Sequence, residues 1–260
     1  MKSVRTVALL TDFGTDDAFV ASMKGAILSI APDVRIIDIT HAIQPQNIVQ
    51  GSYLLWSAYK YFPKGTIFVS VVDPEVGTTR KILCIEGNGY TFLAPDNGLL
   101  QYVMAEIKIK NIVAVIENNY CHSTVSSTFH GRDIFAPVAA YLCNGVPIKK
   151  FGPKVRPQYG AVSFVTLGGK SADYHGTILH IDHFGNIVTN YILSPSLNNY
   201  RLKIGRRVVT ALHPTYNTAP PNVPFLIRGS SGLLEVGIKN KSAANYLQAK
   251  LNQPITMTVL

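Results

Sequence analysis

Val69-Ser70-Val71-Val72-Asp73-Pro74-Glu75-Val76-Gly77-Thr78-Thr79-Arg80 is a β-branched run that stops at an Asp-Pro step, turns at a glycine and arrives at an arginine. The alternation and the abrupt breaker predict a buried strand with a carboxylate at its tip and a guanidinium one loop away. In α/β sheets, ligands sit beyond the carboxyl ends of the strands, so this tip is a candidate site. Read alone, it is equally an Asp-Pro turn followed by a surface arginine.

Working outward, the neighbouring segments repeat the pattern. Residues 4–10 form a short apolar run, followed by Thr11-Asp12-Phe13-Gly14-Thr15-Asp16-Asp17 and a helical pattern over residues 18–30. Asp16 and Asp17 are expected to cap that helix, whereas Asp12 at the strand tip is less easily assigned to capping. A second strand is predicted over 34–39 and a second helix over 48–62, which carries the single tryptophan, Trp56. Strand and helix alternating in this way predict a mainly parallel sheet flanked by helices. A hairpin around Gly87-Asn88-Gly89, a helix over 99–104 and a helix over 134–142 complete this part. His130 lies in the loop before the last of these helices, where free backbone N–H groups cluster.

After Gly145 the composition changes. Helical patterns largely stop, and short β-rich segments separated by turn residues predict a smaller all-β domain of barrel or sandwich type, with one helix over 243–251. The expected organisation is an α/β domain at 1–152, a linker at 153–168 and a β domain at 169–260.

Composition excludes several function classes. Of 260 residues, 47% are hydrophobic and 15% charged, a balance that describes a folded globule and not a disordered or coiled-coil chain. The formal charge is +9, but the basic residues are dispersed and not interleaved with aromatics, so no nucleic-acid partner is expected. No apolar run reaches the roughly 20 residues that span a bilayer, so no membrane partner is expected. Met1-Lys2-Ser3-Val4-Arg5 leads into a strand-like segment and not into a signal peptide, and a cytoplasmic protein is expected. Cys84, Cys121 and Cys143 are widely spaced and indicate neither a disulfide framework nor a zinc site.

No phosphate-binding P-loop, dinucleotide fingerprint, zincin motif or nucleophile elbow is present. What remains is a set of polar residues at loop positions: Asp12, Asp17, Asp73, Arg80, His130 and Asp182. Carboxylates with a histidine can hold a divalent cation, as in metal-dependent nucleotidases or phosphatases. The same groups without metal can orient a water, favour its hydroxide form and accept or relay its proton. A protein that binds a nucleoside ligand without turnover is a third reading.

Taken together, several blocks resemble one family. They are Thr11-Asp12-Phe13-Gly14 with Asp17, Val71-Val72-Asp73-Pro74 with Gly77 and Arg80, Ala94-Pro95-Asp96-Asn97-Gly98-Leu99-Leu100 and Phe129-His130-Gly131-Arg132-Asp133. Ile181-Asp182-His183-Phe184-Gly185-Asn186 with Thr189-Asn190, and Ser230-Ser231-Gly232, follow in the same order. The order resembles that of the S-adenosyl-L-methionine hydroxide adenosyltransferases, relatives of the fluorinating and chlorinating enzymes. The resemblance implies hydrolysis of S-adenosyl-L-methionine to adenosine and L-methionine with no metal and no cofactor, by water attacking ribose C5′.

It also implies an Asp73, Arg80 and His130 triad that activates the water. Asp12 would take the ribose hydroxyls, Asp17 and Asp182 the methionine ammonium, and Ser230, with Ser231 beside it, the carboxylate. Asn186 would read the adenine edge, with Phe184 and Tyr216 as apolar and stacking surface. A homotrimer is implied, with active sites at subunit interfaces. Where this chain has Asp73, His130 and Gly131, the halogenating relatives have Tyr, Tyr and Ser, so hydroxide is the expected nucleophile. Departures from the family pattern are Gln46 for an aromatic, Glu75 for a Gly, Gly229 for an Asn, and Ser231 where halogenases have Arg.

Overall fold

The computed structural model describes residues 5–116, 119–168, 172–194 and 200–259. Residues 1–4, which include the start of the first expected strand, Gly169, where the β domain is expected to begin, and Leu260 lie outside the described residues. The chain divides into two compact units, Met1–Val162 and Ser163–Leu260.

The first unit contains β1 (Thr6–Thr11), α1 (Phe19–Ile30), β2 (Arg35–Thr40), α2 (Ile48–Tyr59), β3 (Ile67–Val71), β4 (Ile82–Gly87), β5 (Tyr90–Pro95), α3 (Gln101–Met104), β6 (Ile109–Val115) and α4 (Ala136–Cys143). Its six strands run in the order β2-β1-β3-β5-β4-β6. The β1–β2, β1–β3 and β3–β5 pairs are parallel, and β4 is antiparallel to both β5 and β6. Every residue of β1 and β3 is buried, as expected for strands covered on both faces.

Alternation sorts these strands' side chains. Val7, Leu9, Val69 and Val71 pack with Met23 and Ile27 of α1 and with Phe135, Val138 and Ala139 of the α4 region. On the other face, Phe68 stacks on Phe92 at 5.0 Å, with Tyr59 of α2 edge-on to both.

Two parts of this sheet escape the sequence. β6 has a polar first half, Ile109-Lys110-Asn111-Ile112, exposed or half-buried at an outer strand, which hides its alternation. The start of the expected linker and the residues just before it bond to that strand: Ala114 N–H donates to Pro153 O at 2.9 Å and Ile116 N–H to Phe151 O at 3.0 Å. The hairpin turns at Asn88 and Gly89, both with positive φ (49° and 80°), the pairing that suits a tight β-turn.

Asp16 and Asp17 do not cap α1. Its cap position falls on Ala18, and no side chain bonds to the helix start, so neither carboxylate is placed to reach the free N–H groups. α2 is capped as the rules predict, by Asn47 accepting from Gln50 N–H at 3.0 Å. It ends at Tyr59, short of the expected residue 62, and the expected helix over 99–104 begins only at Gln101.

The second unit holds β7 (Val165–Thr166), β8 (Ala172–Ile181), β9 (Ile187–Ile192), β10 (Tyr200–Ile204), β11 (Arg207–Val209), β12 (Pro224–Arg228), β13 (Leu233–Ile238), α5 (Ala243–Leu247) and β14 (Pro254–Val259). The eight strands form one sheet in the order β11-β10-β14-β8-β9-β13-β12, with β7 pairing β9. All neighbours are antiparallel except β7 and β9. β8 pairs with β14 over its first half and with β9 over its second, which curls the sheet around a core of Tyr191, Leu202, Leu226, Val236 and Met257. The helix expected to run to residue 251 stops at Leu247, where Gln248 turns left-handed at φ 53°. No helix among the described residues is long and apolar enough to cross a membrane.

Buried Asn97 donates from Nδ2 to Val72 O at 2.8 Å and accepts from Leu99 N–H at 3.2 Å. Replacing it by alanine leaves two buried backbone groups unpaired, and Asn97→Ala should cost about 1–3 kcal/mol in urea unfolding. An unchanged midpoint and slope would show that the end of β3 is held some other way.

Candidate active site

Register brings the first group of functional side chains together. Thr11 pairs with Val71 across the parallel β1–β3 ladder, so Asp12 and Asp73, one and two residues on, emerge at the same edge. β4 runs antiparallel to β5, and Ile82 pairs with Pro95, so the loop delivering Arg80 arrives at that edge too. His130 comes from a loop of the same unit and leads into a single turn of π-helix, Gly131–Phe135, that feeds α4. Such π turns are found disproportionately at functional sites.

The arginine is the centre of the group. Its Nε donates to both oxygens of Asp73, at 3.0 and 2.8 Å, and Nη2 lies 2.5 Å from Oδ2. The same Nη2 is 2.8 Å from His130 Nδ1. The side chains of Arg80 and Asp73 are only 5% and 4% exposed, so this is a buried, forked ion pair. A guanidinium can only donate, so Nδ1 accepts and the neutral imidazole carries its proton on Nε2. Asp12, Asp73, Phe129, His130 and Gly131 line a cavity of about 60 Å³, enough for a water.

Asp12 is held from the other side. Its Oδ2 accepts from Gln46 N–H at 2.8 Å, and burial, with the charge of Asp73 adding, raises its pKa above the ordinary aspartate value. The loop around it is anchored by Thr11 Oγ1, 2.8 Å from His41 Nδ1, and by Gly14 N–H donating to His41 O at 2.8 Å. His41 is itself buried, with Nε2 3.1 Å from Asp38. Asp17 is exposed and lies outside the small cavity.

The remaining candidates gather in the second unit, around a cavity of about 750 Å³ within the range of small-molecule sites. Asp182, Phe184, Asn186, Tyr216 and Ser230 all line it. Asp182 ties the β8–β9 turn together: Oδ1 accepts from Phe184 N–H and Asn186 N–H at 2.9 and 2.8 Å, and Oδ2 from Asn186 Nδ2 at 2.8 Å. That last bond fixes the Asn186 amide, leaving its Oδ1 as an acceptor. Phe184 is 76% exposed, a ring with no core to fill. Burial pushes the Tyr216 phenol up to about 12, with the Glu235 charge adding to the shift. Ser231 does not line the cavity; its Oγ is buried without a hydrogen-bond partner among the described residues.

Profiles for the SAM hydroxide adenosyltransferase N-terminal and C-terminal domains match residues 7–152 and 176–256. The chain belongs to the SAM hydroxide adenosyltransferase family. A (R)-S-adenosyl-L-methionine hydrolase from Thermus thermophilus is 33% identical over 98% of this chain and 100% of its own length. A fluorinase from Actinopolyspora mzabensis is 29% identical over 71% of this chain and 70% of its own. An uncharacterized conserved protein from Thermotoga maritima has a crystal structure that superposes with a TM-score of 0.86, at 31% identity over 96% of this chain and 99% of that one.

Within this family fold, the residues that support the site carry no role assigned from sequence, although Thr11, Asn97 and Asp133 lie in the family's motif blocks. Thr11, His41 and Asn97 act through hydrogen bonds between segments distant in sequence, which no local pattern encodes. Asp133 is fully buried, and its Oδ2 accepts from Ser126 N–H at 2.8 Å, fixing the loop that precedes His130. Burial alone would raise its pKa, but the Arg132 guanidinium and the Ser126 bond hold it below the usual range. Glu235, which also lines the larger cavity, was missed as well.

Gly77 is the one support that composition hinted at. Its φ is +81°, and a Cβ there would stand 2.3 Å from Ser127 O, so the arginine loop packs directly on the histidine loop. Gly77→Ala should lower stability by about 1–3 kcal/mol. It should also speed amide exchange across residues 126–130, because either the backbone strains or the loops separate. Wild-type exchange rates in that segment would refute the contact as the clasp.

Proposed function

We propose that the protein hydrolyses S-adenosyl-L-methionine to adenosine and L-methionine by attack of hydroxide on ribose C5′. The observation that carries this reading is the buried Asp73–Arg80–His130 chain beside a water-sized cavity, in a member of this family. Asp73 fixes the guanidinium, and the guanidinium fixes the imidazole tautomer. His130 then meets the nucleophile with an Nε2–H donor, which together with the nearby positive charge favours hydroxide over water, the water's proton having passed to solvent before the attack. As the C5′–O bond forms, the C5′–S bond breaks and its electron pair returns to sulfur. The sulfonium departs as a neutral thioether, so no acid, metal or cofactor is needed to help it leave.

In this scheme Asp12 accepts from the ribose hydroxyls. Asn186, Phe184 and Tyr216 receive the adenine, and Asp17, Asp182, Ser230 and Ser231 serve the methionine end. A nearby carboxylate also disfavours a desolvated halide. Three cysteines without disulfides suit a reducing cytoplasm.

The test is product release from the substrate with chelator present. His130→Ala should lower kcat by about 10²–10³-fold with little change in KM, the loss expected for one preorganised donor. Asp12→Asn should act mainly through KM. Because burial raises the pKa of Asp12 and its ionised form does the accepting, wild-type KM should climb as pH falls through a value above the ordinary aspartate range. That limb should flatten in the variant. Activity that chelator abolishes and magnesium or manganese restores would replace this reading with metal-dependent hydrolysis. Binding without any product would replace it with a nucleoside-binding role.

We further propose a homotrimer in which the Asp73 and Asn186 serving one site come from different subunits. Mixing inactive Asp73→Ala with inactive Asn186→Ala under exchange conditions should restore part of the activity. No recovery, with mixed oligomers confirmed, would place both residues of each site in one chain.

A further inference from the structure

The cavity of the second unit contains a carboxyl that the scheme above does not use. Glu235 projects from β13, opposite Ile227 of β12, and both line the cavity. Its Oε2 accepts a long bond, 3.3 Å, from Tyr216 OH. Its Oε1 sits where a side chain on Gly229 would begin: a Cβ there would be 1.8 Å away. The absent side chain at Gly229 and the carboxyl therefore form one feature.

No ion pair among the described residues involves Glu235, although Arg228, Lys239 and Lys241 border the same cavity. Burial, and then the charge of Asp182, push its carboxyl above the ordinary glutamate range. A half-buried carboxyl without a strong partner is costly, and a ligand donor would offset that cost.

The neighbours say which donor. Two residues along the same face of β13, Gly237 lets the Tyr216 ring and Asn186 Oδ1 close in, to 2.9 and 3.3 Å of a would-be Cβ. Asn186 Oδ1 can only accept, and Glu235, at the phenolic end of the same tyrosine, is a second acceptor. An exocyclic –NH2 group, with two hydrogens in one plane, satisfies both. We propose that Glu235 is a specificity-determining residue that, with Asn186, reads the 6-amino group of the purine and rejects a 6-oxo purine. The inference rests on the assignment of this cavity to the adenine end of the substrate.

The test compares adenosine with inosine, which differ at that position, by calorimetry on the intact protein, so it needs no turnover. Wild type should bind adenosine at least about 10-fold more tightly than inosine, the scale of one hydrogen bond to a charged group. Glu235→Gln, whose amide can donate as well as accept, should erase most of that preference with an unchanged melting temperature. Gly229→Ala should do the same while keeping the glutamate, because its Cβ evicts the carboxyl. Equal loss of both nucleosides in Glu235→Gln would make the residue structural and overturn the proposal. A full preference surviving in both variants would overturn it too. Wild type that binds neither nucleoside would overturn the assignment of the cavity, and the inference with it, while leaving hydrolysis to be judged by product release.

Discussion

The interaction on which the N-terminal site depends is the fork between Arg80 and Asp73. A guanidinium keeps its proton even when buried, so the pair persists where a lysine could shed its charge. Taking both charges out of water is expensive, and removing one partner would leave the other uncompensated. The surrounding structure accordingly fixes both ends. Asn97 holds the carbonyl of Val72, next to Asp73. Gly77 lets the arginine loop press on Ser127, and Asp133 pins the approach to His130. The chemical consequence reaches the histidine: an arginine facing Nδ1 makes the ring a donor at Nε2 and excludes Nε2 of the neutral ring as a proton acceptor.

Parallel register supplies the second constraint. Asp12 and Asp73 are brought to one edge because β1 and β3 pair Thr11 with Val71, and the charge of Asp73 adds to burial in raising the cost of ionising Asp12. The arginine is drawn to Asp73, and Asp12 receives a backbone N–H from Gln46 in its stead. Gln46 adopts φ 66° to deliver that bond, a left-handed conformation in a non-glycine residue. One carboxylate is therefore committed to a fixed charge pair, while the other retains lone pairs for an incoming hydroxyl.

The sequence made much of this legible because strand tips are local events. A β-branched run ending in Asp-Pro places Asp73, an apolar run ending in Thr-Asp places Asp12, and alternation of strand and helix predicts the parallel sheet. Asp12, Asp73, Arg80 and His130 meet in one unit, and Asp182, Phe184, Asn186, Tyr216 and Ser230 line one cavity in the other. What stayed hidden depends on pairings distant in sequence. Thr11 and His41 are 30 positions apart, and Asn97 and Val72 are 25 apart. β6 lacks alternation because its first half is exposed at an outer strand. Asp16 and Asp17 looked like caps because Asp favours that role, but the helix begins after Ala18.

The two units divide the physical work differently. In the first, nearly every polar group of the candidate triad is bonded before any ligand arrives, so the proposed attack at C5′ would require little reorganisation. In the second, the groups are tethered but not spent. Asp182 fixes the Asn186 amide yet leaves its oxygen available, Phe184 presents its ring to solvent, and Glu235 has one long bond to a phenol. Groups left unsatisfied by the protein discriminate well, because a ligand lacking the matching donor leaves them unpaired. In the proposed scheme, rate then resides in the buried fork of the N-terminal unit, and recognition in the open acceptors of the C-terminal one. On that scheme, a substitution at Gly229 or Glu235 changes which purine is held without disturbing how hydroxide is made.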